Sequence, residues 1–197
     1  MKKINVAIIL ILMVSAMVIL VLGNPSDDSS PKNVVFDGKT DGFDSLKELE
    51  NGTSIIIRGT KLEEKRTEIS RSEIDDEVNG GYTESIFKID KVYKNSESNE
   101  IVKSSENISI SELAYYDKKT NTTYHVNGYE KMTVGGEYLL FLIPVDNGMF
   151  STRGVTFGKI PLKSDETEVN KDSKVLSNNS DLLNNIFKEA KAKYNNK

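Results

Sequence analysis

The sequence predicts a mainly β domain, a small barrel or sandwich, with a short helix before the strands and an amphipathic helix after them, preceded by one transmembrane helix. Three observations predict this arrangement. An unbroken apolar run opens the chain. Short segments rich in β-branched and aromatic residues then alternate with turn residues, and helical spacing of apolar residues returns only near the C-terminus. The length of 197 residues suits one domain with additions.

The first 23 residues are predicted to cross a membrane. From Ile4 to Gly23 the only polar side chains are Asn5 and Ser15, and twenty helical residues span about 30 Å, the thickness of a bilayer core. Two lysines precede the run and two aspartates follow it, which places the N-terminus in the cytoplasm and the rest of the chain outside. Two interpretations compete: a single-pass signal-anchor in the cell membrane, and a signal peptide whose removal leaves a secreted protein.

A polar segment should follow the membrane run as a tether over residues 24–42. Its first part, Asn24–Asn33, is rich in proline, serine and aspartate and has no apolar residue between its two prolines. Such a composition is typical of a flexible linker. The extracytoplasmic β domain is then predicted over residues 43–165.

The first elements of the domain are a helix and two long strands. Ser45 and Glu48 fit a capping box, and Asn51 with Gly52 predicts a left-handed end to that helix. The β-branched run Thr53–Leu62 predicts a central strand. Residues 63–81 are polar and predict a strand end followed by a long solvated hairpin loop, and Tyr82–Tyr93 alternates as a second long strand.

The second half of the domain predicts shorter strands. Asn107–Ser111 alternates strictly, and Tyr115–Val126 predicts a hairpin with a turn near Lys119–Asn121. Gly135–Pro144 has the strongest strand signal, so it should be the most buried strand. The Asp146-Asn147-Gly148 turn leads into its partner, Met149–Thr152, and Gly154–Leu162 adds another strand. A polar linker over 166–179 precedes an amphipathic helix over 180–194.

The order of these patterns resembles a group of uncharacterised exported or membrane-anchored small β-barrel proteins of Gram-positive bacteria. The resemblance rests on Ile56-Ile57-Arg58-Gly59, on the strand Tyr82–Lys94 and on Gly136-Glu137 running into Tyr138–Leu142. It covers roughly Phe43 to Leu162 and implies an OB-like fold. Because its motifs are core strand patterns, it implies no catalytic or binding residue.

The composition excludes several kinds of chemistry. Without cysteine the chain has no disulfide, thiolate metal site or cysteine nucleophile. A net charge of −4 argues against nucleic acid as a partner. His125 is the only histidine and sits in a predicted strand, and no nucleophile signature is present, so we expect neither an enzyme nor a cofactor. The acidic run Glu73–Glu77 is interpreted as a solvated hairpin tip, with weak cation binding as the alternative.

One group of residues is a candidate interaction surface. Four tyrosines are interleaved with asparagine, threonine and lysine, a composition that suits glycan or peptide recognition: Tyr115, Tyr116, Tyr124 and Tyr129. The competing interpretation is that they pack over one end of the β domain. The leading hypothesis is a membrane-tethered extracytoplasmic interaction module with an envelope protein or glycan as partner. The alternatives are a secreted ligand-binding or inhibitor-like protein of the same fold and, third, an enzyme of unrecognised type.

Overall fold

The computed structural model describes residues 30–96, 102–164, 167–174 and 179–194. The transmembrane helix predicted over 1–23 and the first residues of the predicted tether lie outside this part of the chain. No helix within the described residues is long and apolar enough to span a bilayer. Lys32–Lys197 form one compact unit.

The described residues are mainly β, in two sheets, with two α-helices and a short 3-10 helix at Asp146–Gly148. The smaller sheet has the order β1-β6-β5. It consists of β1 (Lys32–Phe36), β5 (Ala114–Asp117) and β6 (Thr122–Val126). The larger sheet contains β2 (Ile55–Arg71), β3 (Val78–Asn95), β4 (Asn107–Glu112), β7 (Glu137–Val145), β8 (Met149–Thr152) and β9 (Lys159–Pro161). The helices are α1 (Leu46–Asn51) and α2 (Ser180–Tyr194).

Strand pairing in the larger sheet leads back to its first strand. The order is β2-β3-β4-β8-β7-β9, and β2 pairs in addition with β7 in antiparallel register from Ile55↔Leu142 to Thr60↔Glu137. The β4–β8 pairing is parallel and the other pairings are antiparallel. Each of β2, β3, β4, β8 and β7 therefore has two neighbours within this set of five.

Gly59 permits the closest backbone approach in β2. A Cβ at this position would lie 2.0 Å from the Lys88 carbonyl oxygen and 2.6 Å from the Phe87 ring. The β2–β3 register also shifts between Arg58 and Gly59. Only glycine lets β3 and its aromatic side chain come this close to the strand.

The core lies on both faces of the larger sheet. Successive residues of a strand point to opposite faces, so Ile55 and Ile57 join one apolar cluster while Ile56 joins the other. The cluster that contains Ile56 includes residues of both helices, with Ile186 and Phe187 from α2. Burial on two faces explains why these strands are continuously apolar.

Several predicted elements are confirmed. The Gly135–Pro144 pattern becomes β7, buried from Tyr138 to Leu142. The Tyr115–Val126 pattern becomes the antiparallel β5–β6 hairpin, and the C-terminal pattern becomes α2. The predicted strand over Gly154–Leu162 is reduced to the three residues of β9.

The α1 helix has the predicted start but not the predicted end. The Ser45 hydroxyl accepts a hydrogen bond from the Glu48 N–H at 3.2 Å, and the Glu48 carboxylate accepts one from the Asp44 N–H at 2.8 Å. Gly52 has φ −79°, so the predicted left-handed cap is wrong. The Thr53 hydroxyl closes the end instead by donating to the Leu49 carbonyl at 2.6 Å.

The prediction of a long solvated loop over residues 63–81 is also wrong. The β2 strand continues to Arg71 and β3 starts at Val78, so the two strands form an arm joined only by residues 72–77. Most side chains at the far end of β2 are exposed. These polar side chains remain in solvent, while the backbone of the arm pairs with β3 as far as Arg71, with register shifts at several positions.

Part of the predicted tether and part of the predicted linker are packed structure. Lys32–Phe36, within the predicted tether 24–42, is β1 and pairs in parallel with β6. The apolar residues of this strand, Val34, Val35 and Phe36, favour pairing over a flexible linker. Within the predicted linker 166–179, Val169 forms a bridge with Tyr129.

Candidate functional site

A groove of about 390 Å³ lies where the tip of the β2–β3 arm meets the smaller sheet. Four parts of the chain form it: β1, the arm with its turn, the β5–β6 turn, and β6. We call it the arm-tip groove. Its lining residues are Phe36, Arg71, Asp76, Glu77, Val78, Thr120 and Tyr124.

Three aromatic rings form a row on the smaller sheet beside this groove. The Phe36 and Tyr124 rings are stacked, with centroids 5.3 Å apart and planes 7° apart. Tyr124 in turn stacks on Tyr115 of the paired strand at 5.3 Å and 29°. Phe36 is 39% exposed whereas Tyr115 is fully buried, so the row leads from solvent into the core.

The arm covers the inner end of this row because it carries a glycine there. A Cβ on Gly81 would lie 2.9 Å from the Tyr115 ring. The ring therefore packs directly against the backbone of β3. Burial raises the pKa of Tyr115 to about 12. Its hydroxyl has no hydrogen-bond partner among the described residues.

A buried carboxylate fixes the arginine of the groove. The Arg71 guanidinium donates to the Asp117 carboxylate at 2.6 Å, which also accepts from the Thr120 hydroxyl at 2.6 Å. Burial alone would raise the pKa of Asp117, but the hydrogen bonds from Thr120 and Arg71 outweigh it and hold that pKa below its usual range. The same hydrogen bond raises the pKa of Arg71.

The second cation at the groove is paired as well. The Lys119 ammonium donates to the Asp76 carboxylate, and this interaction lowers the pKa of Asp76. Asp76 has φ 60°, and its carbonyl accepts a hydrogen bond from Arg71 at 3.0 Å. These contacts connect the turn of the arm to the β5–β6 turn. The positive charges of Arg71 and Lys119 are both balanced by carboxylates of the protein.

The structure divides the four tyrosines of the predicted surface. Tyr124 lines the groove, and the partly buried Tyr116 donates its hydroxyl to the Asn121 side chain at 2.8 Å. Tyr115 and Tyr129 have no exposed surface, so the prediction that all four share one surface is wrong. Alternation along a strand separates its two faces, but it does not tell which face another part of the chain covers.

Phe36 and Arg71 are among the groove residues that the sequence analysis missed. Phe36 lay in the predicted tether and Arg71 in the predicted hairpin loop. The Val-Val-Phe run that ends at Phe36 is a strand signal that could have been used. No comparable signal marks Arg71, because its role depends on an ion pair with Asp117, 46 residues away along the chain.

Two buried lysines form a second polar cluster inside the domain. The Lys61 ammonium is 2.6 Å from the Glu112 carboxylate, and both side chains are fully buried. Glu112 also accepts hydrogen bonds from the Ser85 hydroxyl and from the Met132 N–H. This pair connects β2 with β4 and with the segment that leads into β7.

The other buried lysine, Lys159, lies on β9. Its ammonium donates to the carbonyls of Glu130 and Glu168 and is 4.7 Å from the centroid of the Tyr129 ring. Burial lowers the pKa of Lys159 to about 8. The cluster is enclosed by the protein, so its contacts hold elements together and do not present groups to a ligand.

The remaining candidate residues have structural partners. The His125 ring nitrogens lie 3.0 Å from the Tyr129 carbonyl oxygen and 3.3 Å from the Asn33 side-chain oxygen. In the acidic turn, the Asp75 carboxylate accepts from the Glu77 N–H. Among the described residues no group of three histidine, aspartate or glutamate side chains is placed to hold a metal ion.

No protein-family model and no curated protein sequence matches this chain. The arm-tip groove combines partly exposed aromatic surface, fixed polar groups and a volume within the range of about 300–1,000 Å³ typical of ligand sites. It is the strongest candidate for an interaction site.

Proposed function

We propose that this protein is a membrane-tethered extracytoplasmic interaction module that holds its partner at the arm-tip groove. The observation that carries the proposal is the groove itself, where a partly exposed aromatic pair adjoins polar side chains fixed by ion pairs. Exposed aromatic residues beside ordered polar groups are a common composition of recognition surfaces.

The pairing of the larger sheet supports an OB-like barrel as the scaffold of this module. The strands β2, β3, β4, β7 and β8 form a returning series of pairings, with the parallel contact between the third and the fifth. An OB-like barrel is a five-stranded arrangement of this kind. The smaller sheet contains an insertion between the third and fourth of these strands, and the groove lies at its junction with the β2–β3 arm.

The apolar run of residues 4–23 supports the membrane tether, as does the positive charge before it. A secreted protein of the same fold is the second candidate, favoured if the run is a cleaved signal. Recovery of the intact N-terminal methionine in the membrane fraction supports the tether. A mature N-terminus near Asn24 in the medium supports the secreted form.

Site-specific photo-crosslinking of the full chain in a Gram-positive host tests the role of the groove. A photoreactive phenylalanine analogue replaces Phe36, which preserves the aromatic ring, and the control places the same analogue at Val134. Val134 is 56% exposed and does not line the groove. We expect adducts from position 36 that an excess of unmodified chain suppresses, and none from position 134. Equal labelling from both positions would contradict the proposal.

A further inference from the structure

We infer that the arm-tip groove binds a short neutral glycan. The inference rests on the proposed function, because it names the ligand class of the same site. It follows from the placement of the Phe36–Tyr124 ring pair beside the internally neutralised polar groups of Arg71, Asp76 and Thr120. Each part of this arrangement matches one property of a sugar.

The aromatic pair supplies the apolar part of the site. A pyranose ring carries a face of C–H groups that packs against the electron-rich face or edge of an aromatic ring. Phe36 is 39% exposed and held in one orientation by stacking on Tyr124, which is itself stacked on the buried Tyr115. The rings are therefore ordered before a ligand arrives, so little conformational entropy is lost on binding.

The ion pairs of the groove favour an uncharged ligand. An anion would have to compete with Asp117 for Arg71 and with Asp76 for Lys119. Glu77 also lines the groove and would repel it, and the whole chain has a net charge of −4. A cation would meet the positive charge of Arg71, which lines the same groove. Separating Arg71 from the buried Asp117 is unfavourable, because that carboxylate would lose its partner. The exposed Lys119–Asp76 pair adds only weakly to this preference.

Paired charges can still form hydrogen bonds with hydroxyl groups. The guanidinium of Arg71 has five N–H donors in a planar fork, and two of its nitrogens already donate, to Asp117 and to the Asp76 carbonyl. The Asp76 carboxylate is more than half exposed and has further acceptor positions. Fixed donors and acceptors of this kind match adjacent hydroxyls of a sugar. The volume of about 390 Å³ has room for a short saccharide.

The test is a titration of the full chain in detergent micelles with chitotetraose and with cellotetraose. Saturation-transfer NMR reports which sugar protons touch the protein. We expect saturable binding of at least one of them, with the strongest transfer to ring C–H protons. The dissociation constant should change less than about twofold between low and high salt, because no charge on the ligand is neutralised. Heparin and a soluble unstructured peptide serve as anionic and peptide probes.

Variants assign the binding to the groove. Phe36→Ala should weaken it about tenfold, whereas the exposed control Val134→Ala should leave it unchanged. If Phe36→Ala does not fold by circular dichroism, Phe36→Leu keeps the apolar volume without the ring and should weaken binding about fivefold. Equal affinity of the folded variant and the parent chain would overturn the inference.

The outcomes separate this inference from the proposed function. If neither oligosaccharide binds while crosslinks from position 36 persist, the glycan is wrong and the interaction module stands. Stronger binding of heparin or of the peptide than of the oligosaccharides would also contradict the glycan and leave the interaction module standing. If the crosslinks are absent as well, both proposals fail.

Discussion

The buried Lys61–Glu112 pair gives a sharp test of what stabilises this domain. Both side chains are fully buried, and their charged atoms are 2.6 Å apart. Replacing Glu112 with glutamine keeps the size of the side chain and an acceptor for the Met132 N–H, but it leaves the ammonium of Lys61 without the carboxylate that balances it. Removing one partner of a buried pair costs about 3–5 kcal/mol.

The surroundings of Lys61 place the expected loss at the lower end of that range. Its ammonium also donates to the Met132 carbonyl at 2.7 Å and to Glu64 at 3.0 Å, so part of its charge remains compensated. We expect Glu112→Gln to lower the free energy of unfolding by about 3 kcal/mol, or the melting temperature by about 6–12 °C for a domain of this size.

Urea denaturation followed by circular dichroism measures this loss. The matched control is Lys163→Gln, which breaks an ion pair with Glu137 at a site where Lys163 is 73% exposed and should cost less than about 1 kcal/mol. The double variant Lys61→Met with Glu112→Gln removes the unpaired charge and should be less destabilised than the sum of its two single changes. A loss below about 1 kcal/mol for Glu112→Gln, or strict additivity, would refute the reasoning.

Three further predictions concern stability, and each compares a variant with a control. Tyr115→Phe removes a buried hydroxyl that has no partner among the described residues and should stabilise the protein by about 1 kcal/mol. Tyr138→Phe removes a hydroxyl that is hydrogen-bonded to Thr133 and Glu168 and should destabilise the protein by a similar amount. Chemical denaturation of both variants measures these changes in the free energy of unfolding. Gly59→Ala should lower the melting temperature strongly, and Gly80→Ala, which has open space, should not. The pKa of Lys159 is about 8 in the folded protein and 10.5 in the unfolded chain, so the unfolded chain binds more protons between these pH values. The free energy of unfolding should therefore rise with pH across that window, by about 3 kcal/mol relative to Lys159→Met. Parallel pH profiles of the two proteins would contradict this.

The sequence was sufficient where the structural signal is local. The β7 pattern is bounded by two glycines and a proline, and its continuous apolar run requires burial on both faces. The α2 pattern repeats at helical spacing, and the β5–β6 hairpin has a polar turn between a segment with two tyrosines and a β-branched segment. In each case neighbouring residues along the chain determine the element.

The sequence was insufficient where a distant part of the chain decides. The end of β2 is polar and looks like a loop, yet the ladder with β3 makes it a strand. Lys32–Phe36 follows a flexible composition, yet parallel pairing with β6, about ninety residues later, makes it part of a sheet. Whether these segments form strands depends on the strand they pair with, and no local sequence pattern identifies that strand.

The candidate site shows the same division within adjacent residues. Tyr115 and Tyr116 are equivalent in the sequence and point to opposite faces of β5. The face with Tyr115 is covered because Gly81 lets β3 lie against its ring. A tyrosine predicted to contact a ligand therefore belongs to the core, and the exposed end of the aromatic row is Phe36, which the sequence analysis had assigned to a tether.

The packing of that row explains what holds the arm-tip groove open to a ligand. The exposed Lys119–Asp76 pair contributes little, because surface ion pairs are worth about 0–1 kcal/mol. The Tyr115 ring against Gly81 is dry and fully buried, so it fixes the position of the arm over the smaller sheet. The chain can therefore vary Lys119 and Asp76 at small cost, while the aromatic row keeps the arm and the sheet at the distance that forms the groove.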